Sequence, residues 1–336
     1  LTGSSPSLVE FYQRMADHLI HQLKLQPGDL VLEIGSNDGT FLRALKERGL
    51  QVLGVEGAQV AATAALDQDI PTIPRFFGKD IGPLIRENIA ADSDIKLIVA
   101  MNVLAHTDNL NDFLDEVKDL MKPDTVFVSS SHWLVELVRQ FAFDTIYQEH
   151  LRYYTLSSLA GILGRHGLHV YDAEKTEFYG GSVLSFASPE PTPRSESMLE
   201  ILKEEDQVNV IQSLRDMSQT MLKNKMSLLN LLFNLNVEGK RVAGIGAPMK
   251  SSTLLNYYGI TSDLVQYLTE INPHKVGTAV PGVGIPVIEE GVLFEEQPEY
   301  ALLLSWNMAD HIIPKYREMG YKGKFILPIP EPRVIE

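Results

Sequence analysis

A phenol, a carboxylate and an imidazole fall within four consecutive positions of the chain, at Tyr147, Glu149 and His150. An imidazole can accept a proton near neutral pH, and a neighbouring carboxylate or phenol can fix its tautomer or stabilise an oxyanion. Tyr147 and His150 are three positions apart, so they share one face if the segment is locally helical. The pattern therefore indicates acid–base chemistry, although so short a pattern also occurs among ordinary surface and core residues.

A second group of chemically active residues lies in a predicted strand–loop–helix unit over residues 31–40. An apolar run rich in β-branched residues ends near Glu33, a glycine-bearing turn follows, and apolar residues then recur at helical spacing. Gly35 permits a sharp turn, and Gly39 lets the helix start lie against the sheet. The next apolar run ends at Glu56, where a carboxylate can hold a ribose diol. The unit therefore predicts a site for an adenosine-bearing cofactor.

The loop of this unit discriminates between cofactors. A dinucleotide site needs G-x-G-x-x-G so that pyrophosphate can approach the backbone, but Asn37 replaces the middle glycine and Asp38 follows it. A carboxylate at this place repels pyrophosphate and suits the sulfonium and ammonium groups of S-adenosylmethionine (SAM). We predict SAM as the cofactor, and the alternative is an ordinary tight turn capped by Ser36, Asn37 and Asp38. The predicted cofactor-binding residues are Glu33, Gly35, Ser36, Asn37, Asp38, Gly39, Glu56, Gly57, Phe77 and Asn102.

Composition narrows the class of protein. The chain has 336 residues, of which 44% are hydrophobic and 22% charged, as expected of a globular protein of two or three domains. Its formal net charge of −15 argues against nucleic-acid and anionic-membrane partners. The absence of cysteine excludes disulfides, cysteine–zinc sites and a cysteine nucleophile in this sequence. With no membrane-spanning run and no signal-peptide pattern, we expect a cytoplasmic enzyme without a metal site.

The order of predicted elements indicates the fold. Strand and helix patterns alternate through the first half of the chain, which predicts a doubly wound parallel sheet of the α/β class. A breaker-rich stretch at 189–193 leads into one long amphipathic helix predicted over 195–235. A second strand–turn–helix unit begins near residue 240, so we predict two Rossmann-like layers joined by a helix. Asn102 and His106 follow the third strand, at the sheet edge where ligands bind.

Several motifs along the whole chain resemble one family, the SAM-dependent sugar C-methyltransferases that act on nucleotide-linked 4-keto-deoxysugars, the kijanose 3-C-methyltransferase among them. Their order is more specific than any one of them. The motifs are Glu33 to Gly39, Asn102 to His106, Phe143 to His150, Gly180-Gly181, Gly246 to Lys250, Asn272 to Lys275, Pro281-Gly282 with Ile285 to Val287, and Ser305 to Asn307.

The resemblance implies a class I SAM-methyltransferase Rossmann-like domain over 1–190, a connecting helix over 191–237 and a Rossmann-like substrate domain over 238–336. It implies that the nucleotide sugar binds in the cleft between the domains. It further implies a preceding zinc-binding domain held by cysteines, so this cysteine-free sequence is either a fragment or a variant that dispenses with that domain. The oligomeric state is left open.

The resemblance also implies roles for individual residues. His150 matches the family's proposed base, which removes a proton from the carbon next to the ketone so that an enolate can attack the SAM methyl group. Tyr147, Glu149 and His106 match residues around the reacting sugar. Lys250 and Lys275 are predicted diphosphate partners, with solvated surface as the alternative. The predicted substrate-binding residues are Gly180, Gly181, Lys250, Ser251, Thr253, Asn256, Lys275 and Asn307.

The chain departs from the family's pattern at Ser129 to Trp133, Tyr179 and Leu184, which leaves the substrate open. A different keto acceptor and a non-catalytic SAM-binding protein are alternatives. A nicotinamide dehydrogenase that uses residues 244–247 with Glu270 is another, and the acidic loop at Asp38 speaks against it.

Overall fold

The computed structural model describes residues 1–90, 93–176 and 180–336 of the chain, so the predicted departure at Tyr179 lies outside the described residues. The helices are α1 (Pro6–Leu23), α2 (Thr40–Lys46), α3 (Gln59–Leu66), α4 (Gly82–Glu87), α5 (Leu110–Leu120), α6 (Leu134–Arg139), α7 (Leu156–Arg165), α8 (Glu196–Asp206), α9 (Val210–Val237), α10 (Met249–Tyr258), α11 (Gly291–Glu296) and α12 (Ala309–Glu318). Within these ranges no helix is long and apolar enough to cross a membrane.

The strands alternate with these helices through most of the chain, as expected of an α/β fold. They are β1 (Leu30–Ile34), β2 (Gln51–Val55), β3 (Thr72–Ile73), β4 (Ile95–Met101), β5 (Val126–His132), β6 (His169–Thr176), β7 (Ser182–Ser188), β8 (Val242–Ile245), β9 (Leu268–Glu270), β10 (Val287–Glu289), β11 (Tyr300–Leu303), β12 (Lys324–Leu327) and β13 (Arg333–Ile335).

The chain forms two compact units that interleave along the sequence. The first unit holds Leu1–Trp133, Gly181–Gln207 and most of what lies between residues 150 and 180. The second unit holds Leu134–His150, Gly180 and Val208–Glu336. The segment that carries His150 therefore belongs to the second unit, although in sequence it interrupts the first. The predicted domain boundaries at residues 190 and 237 stay a prediction.

The first unit is built on a seven-stranded sheet in the order β3-β2-β1-β4-β5-β7-β6. Strand β7 is antiparallel to both of its neighbours, and the other pairs are parallel. All five residues of β1 are buried, which is typical of a parallel strand covered by helices on both faces. The alternation of strands and helices predicted a doubly wound parallel sheet. The prediction of an α/β Rossmann-like sheet is confirmed, and the antiparallel strand β7 is the departure from it.

The second unit is built on a six-stranded sheet in the order β10-β9-β8-β11-β12-β13. The strands are parallel except β13, which runs antiparallel to β12. A short 3-10 turn at Phe143–Thr145 packs on α10, where the Phe143 ring lies 5.5 Å from the Tyr257 ring and 5.4 Å from the Tyr258 ring. This contact is what holds the segment of 134–150 to the second sheet's helix layer.

The parallel part of each sheet contains a point where the strand order reverses direction. In the first sheet β1 lies between β2 and β4, and in the second β8 lies between β9 and β11. Ligands of open α/β sheets bind outside the carboxyl ends of the strands at such points. The two places to look for a site are therefore the loops after β1 and β4, and the loops after β8 and β11.

The prediction of one helix over 195–235 is wrong, because the structure has α8 and α9 separated by residues 207–209. The Asn209 side chain caps α9 by accepting a hydrogen bond from the Gln212 N–H at 3.0 Å. Asparagine is a favoured N-cap residue. The spacing of apolar residues continues across residues 207–209, so it does not show that a new helix begins there. Helix α8 belongs to the first unit and α9 to the second.

Candidate functional site

The loop after β1 makes a sharp turn that places backbone where a ligand can approach. Gly35 and Gly39 have φ of +70° and +73°, and Asn37 between them has φ of +51°. Such angles favour glycine and are uncommon for other residues. A Cβ on Gly35 would lie 2.7 Å from the Val103 side chain, so the space beside this turn is already filled. A strained non-glycine residue in a loop of this kind is typical of a functional site.

Three carboxyl groups meet around this turn. Glu56 accepts hydrogen bonds from the Asn37 N–H at 2.8 Å and the Ala58 N–H at 2.7 Å, which holds the turn against the end of β2. Asp38 is buried and accepts from the Thr40 hydroxyl at 2.6 Å and from the Gly3 N–H at 2.8 Å. The site is therefore rich in acceptors and in negative charge.

Glu33 is buried as deeply as Asp38, at 3% exposure. Burial, and then the charges of Glu56 and Asp38, raise the pKa of Glu33 well above its usual value. Its Oε2 atom is buried and has no hydrogen-bond partner among the described residues. A buried polar atom without a partner is costly, and a cation placed beside Glu33 would relieve that cost.

Polar groups at the neighbouring strand ends lack partners in the same way. The Asn102 side chain, at the carboxyl end of β4, has both its amide nitrogen and its oxygen buried without a partner within the described ranges, and so has the Ser36 hydroxyl. Asn102 has φ of +56°, and its N–H donates to the Ser130 carbonyl at 3.0 Å. The residues present therefore fit a cationic, hydrogen-bonding cofactor such as SAM.

The remaining residues predicted around the first sheet lie near its carboxyl edge in different degrees of exposure. Gly57 follows Glu56, and a Cβ there would lie 2.2 Å from the Phe76 ring. Phe77 is half-buried, with its ring 4.8 Å from the Phe113 ring. His106 is exposed, in a turn in which its N–H donates to the Val103 carbonyl at 2.9 Å. Their roles stay predictions.

The imidazole of His150 is buried, with 9% exposure, and both of its nitrogens have assigned partners. Nδ1 lies 2.8 Å from the Thr145 backbone carbonyl, and Nε2 lies 3.1 Å from the Tyr147 hydroxyl. A carbonyl only accepts hydrogen bonds, so Nδ1 must carry a proton. In the neutral ring Nε2 then carries the lone pair, and the Tyr147 hydroxyl donates to it. The turn fixes one tautomer, with Nε2 as the basic atom.

The segment that carries this imidazole is a turn and not a helix. The His150 N–H donates to the Tyr147 carbonyl at 3.0 Å, which brings the two side chains together at the same three-residue spacing that a helix would. The two rings lie 4.2 Å apart. Glu149 between them is exposed. The Tyr147 hydroxyl thus contacts the His150 ring, and the Thr145 backbone carbonyl, not Glu149, fixes the tautomer of that ring.

A buried charged cluster lies at the strand-order reversal of the second sheet. Asp144 is fully buried, and its Oδ2 accepts a hydrogen bond from the Trp306 indole N–H at 2.7 Å. The Lys250 ammonium lies 3.8 Å from Asp144 Oδ2, donates to Asn307 Oδ1 at 2.6 Å and stands 4.3 Å from the centre of the Trp306 ring. Lys250 follows β8 and Trp306 follows β11, so the cluster joins the two loops at which a ligand is expected.

Burial dominates the electrostatics of this cluster. It raises the pKa of Asp144, and the Lys250 charge and the Trp306 hydrogen bond oppose that shift. Burial likewise lowers the pKa of Lys250 against the opposing effect of Asp144. Asp144 Oδ1 and the Tyr258 hydroxyl are buried without partners in the part of the chain that the structure describes. A buried pair of this kind is sensitive, because removal of one partner leaves the other charge uncompensated.

The other predicted substrate residues lie around the loops of the same sheet. The Lys275 ammonium donates to the Ala247 carbonyl at 2.8 Å and lies 4.0 Å from Glu270. Ser251 is buried, and its hydroxyl donates to the Pro248 carbonyl at 2.6 Å. Asn256 donates to the Pro281 carbonyl at 2.8 Å and thereby holds the following loop.

Thr253 is half-buried on α10. Gly180 and Gly181 both have positive φ, of +86° and +114°. A Cβ on Gly180 would lie 3.6 Å from the Asn307 Cβ, so this glycine borders the charged cluster. The roles of these residues in substrate binding stay predictions.

Sequence reasoning missed the two groups that hold the imidazole in place. The acceptor at Thr145 is a backbone carbonyl, which no side-chain pattern reveals. Asp144 and Trp306 were recognised as parts of two separate motifs, but nothing in the sequence indicates that they pair across 162 positions. The available signal is that an acid and an indole occur in two motifs of the same family, Phe143 to His150 and Ser305 to Asn307.

Comparison with known proteins identifies the class first. Residues 8–173 match a family described as a methyltransferase domain, and residues 177–330 match a C-methyltransferase C-terminal domain. Over its whole length the chain is 33% identical to the C-methyltransferase NovU of Streptomyces niveus, of which it covers 80%. The fold is that of the class I SAM-dependent methyltransferases, with a second, C-terminal domain. The chain belongs to the C-methyltransferase family.

Solved structures are similar to the chain at a greater distance. The PH0226 protein of Pyrococcus horikoshii OT3 aligns with a TM-score of 0.43 and 16% identity, over 55% of this chain and 92% of that one. Magnesium protoporphyrin IX methyltransferase from Synechocystis PCC 6803, solved with bound SAH, aligns with a TM-score of 0.39 and 15% identity, over 54% and 83%. These structural similarities are too distant to support the family assignment. Membership of the C-methyltransferase family argues against the alternative of a nicotinamide dehydrogenase.

Proposed function

We propose that this C-methyltransferase adds a methyl group to the carbon next to the ketone of a nucleotide-linked 4-keto-deoxysugar, with His150 as the base. The observation that carries the proposal is the fixed tautomer of His150, in which Nδ1 donates to the Thr145 carbonyl at 2.8 Å. That arrangement makes Nε2 the basic nitrogen of the neutral ring, and it can accept a proton from carbon once the Tyr147 hydroxyl that donates to it turns away.

The reaction begins with a proton on carbon. A hydrogen on the carbon beside a ketone is acidic because the electron pair left behind spreads onto the carbonyl oxygen. Nε2 of His150 takes that proton, and the ring becomes a cation whose Nδ1–H remains bonded to the Thr145 carbonyl. The Tyr147 hydroxyl, 3.1 Å from Nε2, can turn its proton towards the enolate oxygen and stabilise the charge that develops there.

The first unit holds the cofactor in this proposal. Glu33, Asp38 and Glu56 make the loop after β1 attractive to cations, and Asn102 offers an amide with free donor and acceptor atoms among the described residues. When bound, SAM supplies an electrophilic methyl group, which the enolate carbon can accept. The carboxyl groups of the loop would hold the charged end of such a cofactor, and Glu56 its ribose.

The second unit would hold the nucleotide sugar. Lys250, Ser251, Asn307 and Gly180 surround the strand-order reversal of its sheet, where ligands of open sheets bind. Lys275 adds a second ammonium after β9. Cationic groups are needed there because the chain as a whole is acidic and would repel a diphosphate on average.

The decisive test measures proton removal without methyl transfer. The full chain is incubated in D₂O with candidate dTDP-4-keto-sugars and no SAM, and deuterium at the carbon next to the ketone is counted by mass spectrometry. We expect exchange by the wild type, a loss of about 10²-fold or more in His150→Ala, and unchanged SAM affinity by calorimetry. His311→Ala, which removes an exposed histidine of the second unit, is the matched control and should exchange as wild type.

The outcomes separate the parts of the proposal. Exchange in His150→Ala at the wild-type rate would show that another group is the base. Absence of exchange with every sugar in the wild type, together with normal SAM binding, would count against the sugar substrate and favour a different keto acceptor or a non-catalytic role.

A further inference from the structure

A chain of contacts runs from the buried charged cluster to the nitrogen of His150. Asp144 and Thr145 are adjacent in the 3-10 turn Phe143–Thr145. Asp144 is tied to Trp306 by a 2.7 Å hydrogen bond, and the Thr145 carbonyl receives the proton of His150 Nδ1 at 2.8 Å. A shift of the turn therefore moves the acceptor that fixes the tautomer.

Other contacts hold the same turn but do not orient it in the same way. The Phe143 ring packs on the aromatic rings of α10, an interaction that tolerates rotation. The Thr145 hydroxyl donates to the Ala142 carbonyl at 2.7 Å, which is a contact within the turn. The bond from Trp306 is directional and comes from the loop after β11, so it orients the turn relative to the second sheet in a way that ring packing does not.

Burial of the Asp144 carboxylate carries an energetic cost. Asp144 is fully buried, and one of its oxygens has no partner within the described residues. The Lys250 ammonium is 3.8 Å from the other oxygen, too far for a strong hydrogen bond. A protein places a buried carboxylate in such surroundings at a cost in stability, and the cost is explicable if the carboxylate fixes something that function needs.

We propose that Asp144 is a positioning residue for the proton-transfer step: through Trp306 it fixes the turn whose Thr145 carbonyl selects the Nδ1–H tautomer of His150. The inference rests on the proposed role of His150 as the base. In this view Lys250 compensates the Asp144 charge, in addition to its proposed role beside the nucleotide sugar.

The test reads the tautomer directly and requires no substrate. Histidine labelled with ¹⁵N in the full chain gives two-bond ¹H–¹⁵N correlations that distinguish an Nδ1–H from an Nε2–H ring, and His150→Ala identifies the signal. We expect a single Nδ1–H pattern in wild type, and a mixture of tautomers in Asp144→Ala and in Trp306→Phe. Asp144→Asn, whose amide oxygen can still accept from the indole, should restore the wild-type pattern.

Glu205 supplies a matched control in the first unit. Its buried carboxylate also accepts from an indole, the Trp133 N–H at 2.6 Å, and its other hydrogen bonds come from the N–H groups of Leu156 and Ser157 at the start of α7. Glu205→Gln should leave the His150 signal unchanged. A comparison at equal folded fraction, set from the melting curve of each variant, separates loss of stability from loss of the tautomer.

Activity gives the second readout. Once a substrate is known, Asp144→Ala should lower kcat by about 10- to 100-fold, as expected for a misplaced catalytic group, with the KM for SAM unchanged. An unaltered His150 tautomer in both Asp144→Ala and Trp306→Phe overturns the inference even if His150 is the base. A shifted tautomer with no effect on deuterium exchange shows that Asp144 fixes the turn, but refutes both His150 as the base and a role of Asp144 in proton transfer.

Discussion

Replacement of Glu33 by glutamine offers a quantitative test of the electrostatics of the first site. Burial and the charges of Glu56 and Asp38 raise the pKa of Glu33 well above 4.5, the value of an unperturbed glutamate. The folded chain therefore holds a proton that the unfolded chain releases above that value. Such a group stabilises the protein fully below the unfolded pKa, and this contribution is lost as the pH rises towards the folded pKa.

The magnitude follows from linkage. For each pH unit over which Glu33 is protonated in the folded state and ionised in the unfolded state, the free energy of unfolding falls by about 1.4 kcal/mol. Glu33→Gln keeps the shape of the protonated carboxyl and removes the titration. The variant should therefore gain stability relative to wild type as the pH rises from 5 to 8, at up to this slope.

The assay is urea unfolding of both proteins at pH 5, 6, 7 and 8. Glu56→Gln in the wild-type background is a second arm, because it removes one charge that raises the pKa of Glu33 and should make the slope end at a lower pH. Saturating SAM should flatten the dependence, since a cation beside Glu33 favours its ionised form. A difference between wild type and Glu33→Gln that is constant from pH 5 to 8 would refute the reasoning.

Two further substitutions test the loops of each unit. Gly35→Ala forces a Cβ to within 2.7 Å of the Val103 side chain at φ of +70°, whereas Gly28→Ala meets nothing within 4 Å at φ of +94°. Both substitutions should lower the free energy of unfolding and with it the melting temperature. Gly28→Ala should cost about 1 kcal/mol, from backbone strain alone, and Gly35→Ala should cost clearly more. Equal losses of stability in the two variants would contradict the contact with Val103. Asn256→Asp replaces a donor to the Pro281 carbonyl at 2.8 Å by an acceptor, and the bond is exposed. The variant should therefore lose about 0.5–1.5 kcal/mol in urea unfolding, and a free energy of unfolding equal to that of wild type would contradict a stabilising role for the bond.

The local units of the first sheet could be predicted because their signals are local. The turn at Gly35, the carboxyl group of Glu33 at the end of β1 and that of Glu56 at the end of β2 lie within a short stretch of chain, and each type of residue has one physical use there. Such features depend on residues that are close in sequence.

The remainder depends on contacts between distant parts of the chain. The break between α8 and α9 escaped prediction because Asn209 ends an apolar pattern without disturbing its period. The tautomer of His150 depends on a main-chain carbonyl, and the turn that carries it depends on an indole 162 positions away. Neither relation leaves a period or spacing in the sequence.

The interleaving of the two units constrains how the protein can be divided or recombined. Leu134–His150 leaves the first unit after Trp133 and contributes the imidazole-bearing turn to the second. A hybrid that exchanges only Val208–Glu336 with a relative would join a foreign Trp306 loop to a native Asp144 turn. Chimeric proteins should therefore exchange Leu134–His150 and Val208–Glu336 together. Truncation after residue 190 removes α10, the helix on which the turn packs.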